Sequence, residues 1–159
     1  LISILDIKTK EDDFNARFSA RLRTYEYLII NRVGDLSINK NKAWHIKQKI
    51  DLEIMKQGAK ILEGKHDFST FRSSSCSANS PIKKMNPIKI HKINDTIKIK
   101  ISSKSFLQNQ VRSMVGCLKY LSTGKWSMTD FKKAFKSKKR GNCAPPAPAC
   151  GLYLSKVKY

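Results

Sequence analysis

The sequence has few acidic residues, no recognisable metal-ligand cluster and no long apolar run. Asp and Glu account for 12 of the 159 residues, against 32 Lys and Arg, so the formal net charge is +20. The four cysteines form no C-x-x-C pair and have no histidine at zinc-ligand spacing, which argues against a metal site and favours reduced thiols. No apolar stretch is long enough to cross a bilayer, and no signal peptide, internal repeat or Gly-rich phosphate loop is recognisable.

The positive charge predicts a polyanionic partner such as nucleic acid. Seven of the 32 basic residues are Arg and therefore 25 are Lys. A chain rich in Lys, Ile and Asn also fits a coding bias without a binding surface, so composition leaves both explanations open. Membrane-surface binding is disfavoured because no segment combines a wide apolar face with a basic one over many turns. The hydrophobic content of 40% supports one folded domain.

The stretch F-L-Q-N-Q-V-R-S-M-V-G, residues 106–116, predicts an amphipathic helix. Counted from Leu107, apolar residues recur at i+4, i+7, i+8, i+11 and i+14, the stripe of a helix packed on a core. Arg112 lies to one side of this stripe, and Gly116 follows it by one turn. A guanidinium placed there can reach a carboxylate or phosphate, while the small Gly116 leaves room for another group. The structural alternative is an arginine that extends from the core boundary to water.

Periodicity and capping residues predict the other elements. We predict strands at residues 2–7, 23–30, 88–90, 97–101 and 152–157, the third and fourth forming a hairpin. Further helices are predicted from the N-cap Asp51 to Gly64, and from a capping box formed by Ser127 and Asp130. Residues 39–49, 66–81 and 144–151 are predicted as loops. This order of elements predicts an α+β domain with a mainly antiparallel sheet and helices packed on one face.

Four stretches along the chain together resemble one family. They are F-N-A-R-F-S-A followed by R-T-Y-E-Y, then D-F-S-T-F-R, then F-L-Q-N-Q-V-R-S-M-V-G, then A-P-A-C-G-L-Y-L. Each stretch alone is weakly specific, but their order and spacing extend along nearly all 159 residues. On these residues the chain resembles the C-terminal portion of the tRNA pseudouridine synthase A (TruA) family. The resemblance implies the C-terminal half of a pseudouridine synthase catalytic domain, residues 1–159.

The resemblance implies an enzyme that isomerises uridine to pseudouridine in the anticodon arm of tRNA without a cofactor or metal. It also implies a cytoplasmic homodimer with tRNA as partner and no membrane association. A stacked RNA base cannot expose both faces, so such an enzyme must flip the nucleotide into a pocket. An aromatic ring and an aliphatic wall are suitable supports for the freed base.

The resemblance assigns roles to six positions in these motifs. Tyr25 matches the family's substrate-stacking tyrosine, Arg112 its catalytic-site arginine and Leu152 its pocket leucine. The structural alternatives are an ordinary cross-strand aromatic at Tyr25 and an ordinary core residue at Leu152. Three further basic residues in the motifs are expected to contact RNA: Arg17, Arg23 and Arg72.

The family's catalytic aspartate lies in a G-R-T-D-x-G-V-H-A motif of its N-terminal half. None of the eight aspartates here has such surroundings, and the chain begins with Leu1 rather than Met. We therefore expect a fragment that is inactive alone, in which Arg112 would pair with a carboxylate outside this chain. Asn109 and Gln110 replace the family's usual His and Met, and residues 77–83 lack the arginine and tryptophan of its Q-S-R-T-P-W-R segment.

Two non-enzymatic alternatives remain open. A free-standing RNA-binding module would use Tyr25 and the basic surface for recognition alone. A basic ribosome-associated structural protein would bind many RNAs in a salt-sensitive way. An in-frame G-R-T-D motif upstream in the gene would favour the enzyme over the binding module.

Overall fold

The computed structural model describes residues 3–38 and 40–159, which contain seven strands and three α-helices. The strands are β1 (Leu22–Asn31), β2 (Trp44–Ile46), β3 (Gly64–Asp67), β4 (Ile82–Met85), β5 (Lys89–Ile93), β6 (Thr96–Ser103) and β7 (Leu152–Lys158). The helices are α1 (Leu52–Ile61), α2 (Gln110–Ser122) and α3 (Met128–Lys136). Short 3₁₀ turns occur at Ser69–Phe71, Arg140–Asn142 and Ala149–Gly151.

All seven strands form one sheet, in which β1 and β6 are adjacent interior strands. One edge of β1 pairs with β6 along most of its length. Its other edge pairs with β7 over its first half and with the short strand β2 over its second half. Only the β1–β2 pair is parallel among these pairings, so the sheet is mainly antiparallel, as the sequence predicted.

The core lies between one face of the sheet and the three helices. Tyr27 and Ile29 of β1 and three isoleucines of β6 are fully buried there, because alternate residues of a strand share a face. Met114, Val115 and Leu118 of α2 pack into the same cluster and have no exposed surface. From Val111 onward, the helical stripe predicted from the sequence is therefore the buried side of α2. The helix predicted from residue 106 begins only at Gln110, and Leu107 is buried in the segment before it.

The structure confirms several local predictions. Asp51 caps α1 by accepting a hydrogen bond from the backbone of Ile54, and Ser127 forms the predicted capping box with Asp130. The predicted hairpin is formed by β5 and β6, with Asn94 and Asp95 between the two strands. Asn94 adopts a positive φ of 51°, which asparagine tolerates in tight turns.

The strand predicted at residues 2–7 is wrong for the described residues 3–7, and Ile2 lies outside the described residues. Residues 3–7 are irregular and exposed, including Leu5, whose side chain is 94% exposed. Apolar alternation indicates which face a strand would bury, but a strand also needs a pairing edge. No described strand pairs with this segment.

Two predicted loops contain strands instead. Within residues 39–49, of which Asn39 lies outside the described residues, β2 pairs in parallel with the end of β1. Within residues 66–81, His66 and Asp67 belong to β3, which pairs with β4. The sequence of β4, I-K-K-M, has little apolar alternation, so this pair is determined by contacts between distant segments. Phe68 and Phe71 are fully buried, as expected of the aromatic anchors of that region.

Within residues 3–38 and 40–159, no helix combines the length and apolar character needed to cross a bilayer.

Candidate active site

Tyr25 lies at the wall of a basic cavity of about 400 Å³, which we call the Tyr25 cavity. Because side chains alternate along β1, the Tyr25 side chain lies on the same face of the sheet as that of Tyr27. The Tyr25 ring packs edge-on against Phe106, with 5.2 Å between the ring centres. The charged residues in the lining are all basic: Arg17, Arg23, Lys83 and Lys104. A half-exposed aromatic ring surrounded by cations is suited to a nucleotide, because the ring can stack on a base while cations contact phosphate.

Arg17 and Arg23 line the same cavity in different ways. Arg23 donates hydrogen bonds to the carbonyls of Lys104, at 2.6 Å, and of Arg17. It therefore ties the segment before β1 to the chain after β6 and helps form the cavity wall. The guanidinium of Arg17 is exposed and lies 5.5 Å from the centre of the Phe18 ring.

Arg72 is absent from the lining of the Tyr25 cavity. Its Nη2 donates to the carbonyls of Cys76 and Ala78, both at 2.7 Å, so it organises the serine-rich loop after Phe71. Ala78 itself lines the cavity. Arg72 thus acts on the cavity through this loop, and its contact with RNA stays a prediction.

Arg112 lies in the first turn of α2 and is held by the loop before β7. Its Nε donates to the carbonyl of Ala147 at 2.6 Å, while its own backbone carbonyl accepts a hydrogen bond from the Ala147 N–H at 3.0 Å. Nη1 lies 3.4 Å from Oδ1 of Asn109. Among the described residues no carboxylate lies within ion-pair distance of this guanidinium. The side chain is half-buried, so it presents a fixed cation whose remaining N–H groups can bind an anion.

Leu152 begins β7 and lies opposite Tyr27, not opposite Tyr25. In the same register Leu154 lies opposite Tyr25, and the register then shifts between Tyr25 and Thr24. Leu152 packs partly against the core, whereas Leu154 is 54% exposed. Neither leucine lines the Tyr25 cavity.

Tyr25, Arg112 and Leu152 are connected through two intermediate residues. Phe106, which contacts Tyr25, lies four residues before the first residue of α2. Tyr27 is the cross-strand partner of Leu152. Its hydroxyl donates a hydrogen bond to the carbonyl of Pro148, the residue that follows Ala147. The structure brings Tyr25, Arg17 and Arg23 to one cavity, and places Arg112 and Leu152 around Tyr27 on the same side of the sheet.

Sequence reasoning missed three residues of this region. The sequence shows Phe106 only as the first residue of a motif and does not predict that its ring contacts Tyr25. Lys83 and Lys104 complete the basic lining. Neither lysine differs locally from the other lysines of the chain, so only the β4–β6 pairing reveals their position.

Comparisons with known proteins identify the family of the chain. A family model described as tRNA pseudouridine synthase matches residues 59–159, which include Arg72, Arg112 and Leu152. The chain belongs to the tRNA pseudouridine synthase family. It is also similar to two proteins named tRNA pseudouridine synthase A. It is 54% identical to one from Pelagibacter ubique (strain HTCC1062) and 46% identical to one from Xanthobacter autotrophicus (strain ATCC BAA-1158 / Py2).

Both similarities extend over 158 residues, or 99% of this chain, and therefore include the part of the chain before residue 59. The chain spans 64% of the length of each relative. Family membership confirms the resemblance inferred from the four motifs. It identifies the fold as that of a pseudouridine synthase domain, in agreement with the mixed sheet and three helices.

Proposed function

We propose that this chain forms the uridine-binding half of a tRNA pseudouridine synthase catalytic domain. The observation that carries the proposal is Arg112, a half-buried guanidinium anchored through Nε without a described carboxylate partner. A cation fixed in this way is suited to bind and orient a catalytic carboxylate. The aspartates of this chain lack the family's catalytic motif, so we assign that carboxylate to the part of the relatives that the chain does not span.

The reaction breaks the bond between the ribose C1′ and the uracil N1, and forms a bond between C1′ and the uracil C5. The hydrogen on C5 is released to solvent and N1 gains a proton, so atoms balance without a cofactor. In our proposal Tyr25 stacks on the flipped uracil and Leu152 supplies an aliphatic wall. Arg112 keeps the carboxylate ionised and oriented, because an adjacent cation favours the charged form.

We further propose that the substrate is the anticodon arm of tRNA, bound by a cytoplasmic homodimer. The cations of the Tyr25 cavity support a polyanionic substrate. Sedimentation of the chain at several concentrations tests the dimer, and a mass that stays monomeric throughout would contradict dimerisation of this chain.

A chimera tests the catalytic proposal. In it, this chain replaces the matching segment of the Pelagibacter ubique relative, and tritium release from tRNA labelled at uracil C5 is measured. We expect release by the chimera and none by the 159-residue chain alone. Release by the chain alone would show that the catalytic carboxylate is misassigned. A folded chimera that binds tRNA without releasing tritium would favour an RNA-binding module.

Neutralising the lysines of the Tyr25 cavity is expected to weaken RNA binding in a salt-dependent way. The double variant Lys83→Gln/Lys104→Gln removes two cations from the lining. If both lysines contact phosphate, a plot of the logarithm of the association constant against the logarithm of salt concentration should become less steep. Its negative slope should decrease in magnitude by about 2, since each phosphate contact contributes about 1. Fluorescence anisotropy with a labelled tRNA transcript at several salt concentrations measures this slope.

The matched control is Lys49→Gln/Lys60→Gln, which removes two exposed lysines away from the cavity. It changes the net charge equally but should leave the slope nearly unchanged. Equal changes in the two double variants would mean that RNA senses only the overall charge, and would remove the Tyr25 cavity as a specific RNA site.

A further inference from the structure

The segment that anchors Arg112 cannot hold itself in place through its own backbone. Residues 144–148, A-P-P-A-P, which we call the proline loop, contain three prolines and therefore only two backbone N–H groups. The N–H of Ala147 donates to the Arg112 carbonyl, and that of Ala144 lies 3.4 Å from Sγ of Cys117. Both partners belong to α2, so the conformation of the loop depends on contacts with other elements.

The loop is pressed closely against α2. A Cβ atom at Gly116 would lie 2.1 Å from the carbonyl oxygen of Pro145. This close approach brings the carbonyl of Ala147 within reach of the Arg112 side chain, one turn earlier on the helix. Packing against α2 fixes one side of the loop.

Tyr27 fixes the other side. Its hydroxyl donates to the carbonyl of Pro148 at 2.6 Å, and its side chain has no exposed surface. The ring is confined by neighbouring backbone, since a Cβ atom at Gly151 would lie 2.8 Å from it. The carbonyl that Tyr27 holds is adjacent along the chain to the one that accepts Nε of Arg112.

We infer that Tyr27 is a positioning residue for Arg112, which it orients by holding the proline loop at Pro148. The relay comprises the Tyr27 hydroxyl, the carbonyls of Pro148 and Ala147, and Nε of Arg112. The importance of this relay for catalysis rests on the proposed function. The coupling between the Tyr27 hydroxyl and the position of the Arg112 side chain does not depend on that function. Tyr27 lies beneath the site as a buried residue, and it needs no contact with the substrate to act.

The hydroxyl of Tyr27 remains a donor at physiological pH. Burial raises the pKa of this phenol, the nearby Cys150 raises it further, and the guanidinium of Arg112 lowers it. The net shift of the pKa is upward, so the phenol keeps its proton and can donate to Pro148 at physiological pH.

The variant Tyr27→Phe tests the relay by removing one oxygen atom. In the ¹⁵N-labelled chain, we expect exchange of the Arg112 Hε with water to accelerate about five-fold, the ratio that corresponds to one net hydrogen bond. The ¹⁵Nε resonance of Arg112 should also shift. A residue that only stabilised the core would leave both signals unchanged in the folded protein.

Tyr153→Phe is the matched control. The Tyr153 hydroxyl also donates to a backbone carbonyl at 2.6 Å, that of Lys42, but this carbonyl has no link to Arg112. The control should leave the Arg112 signals at their original values. Unchanged Arg112 signals in Tyr27→Phe, or equal changes in both variants, would overturn the inference.

The unmodified chain provides a second test if Tyr27→Phe does not fold. The relay requires a slowly exchanging Tyr27 hydroxyl proton close to Pro148. It also requires an Arg112 Hε that exchanges more slowly than that of Arg32, which donates to Gly34 at 3.2 Å in an exposed loop. Fast exchange at either position would refute the relay. Because these measurements involve no turnover, their failure is distinguishable from an inactive chimera.

Discussion

Replacing Arg112 by lysine in the chimera is expected to lower kcat for uridine isomerisation about 100-fold, the loss typical of a misplaced catalytic group. Arginine uses Nε to bind Ala147, and although Nη1 lies 3.4 Å from Asn109 Oδ1, its other Nη N–H groups remain available for an anion. Lysine has a single nitrogen, which cannot occupy both places. The carboxylate would therefore lose either its partner or the fixed position of that partner, so the chemical step should slow with little change in KM.

Arg32→Lys is the control for this substitution. Arg32 also donates to backbone carbonyls, those of Gly34 and Asp35, but it lies in an exposed loop. Its replacement should leave kcat unchanged in steady-state tritium release, and should leave the rate constant of single-turnover release unchanged as well. If Arg112→Lys retained full activity, the positive charge alone would suffice, and the fork geometry assigned to Arg112 would be incorrect.

Replacing Gly116 by alanine is expected to destabilise the fold by about 2 kcal/mol, within the range for overpacked cores. The added Cβ would meet the Pro145 carbonyl oxygen at 2.1 Å and the Ala147 nitrogen at 3.4 Å. These are backbone atoms, so the whole proline loop must move to relieve the overlap. The better helix propensity of alanine, about 1 kcal/mol, offsets only part of this cost. Thermal unfolding followed by circular dichroism should show a Tm lower by about 4–8 °C for a chain of this length.

Gly141→Ala provides the comparison, because a Cβ atom there would meet no heavy atom within 4 Å. Its effect should stay within about 0.5 kcal/mol, as for an ordinary surface substitution. Gly116→Ala should also shift the Arg112 Nε resonance, since the loop carries the Ala147 carbonyl. A Gly116→Ala variant with unchanged Tm and an unchanged Arg112 resonance would contradict the tight contact between α2 and the proline loop.

Predictions from local patterns succeeded where one segment contains its own structural signal. The stripe of α2, the capping box of Ser127 and the β5–β6 hairpin each depend on residues close in sequence. Such patterns report periodicity and capping, which local backbone geometry determines. The predicted strand at residues 2–7 had the pattern but no described pairing partner, and β2 and β4 had a partner but only a weak pattern.

The sequence names candidate residues, but it predicts neither their arrangement nor the lysines that line the Tyr25 cavity. The motifs directed attention to Tyr25, Arg112 and Leu152. The antiparallel register of β1 and β7 pairs Leu152 with Tyr27 and Leu154 with Tyr25, and this pairing is not visible in either motif alone. The shorter hydrogen bond of the Arg112 side chain goes to the backbone carbonyl of Ala147, which no side-chain pattern can reveal.

The amino-acid sequence by itself determined the α+β class, the buried stripe of α2, the excess of positive charge and the family motifs. These properties follow from composition, from the periodicity of single segments and from the order of the motifs along the chain. The tertiary structure alone decided which lysines surround Tyr25, and which carbonyls hold the hydroxyl of Tyr27 and the side chain of Arg112. Those contacts join segments from 35 to 121 residues apart, Arg112 being 35 residues from Ala147 and Tyr27 being 121 from Pro148. Their geometry arises because the sheet and helices close around one core, and local patterns carry no information about that closure.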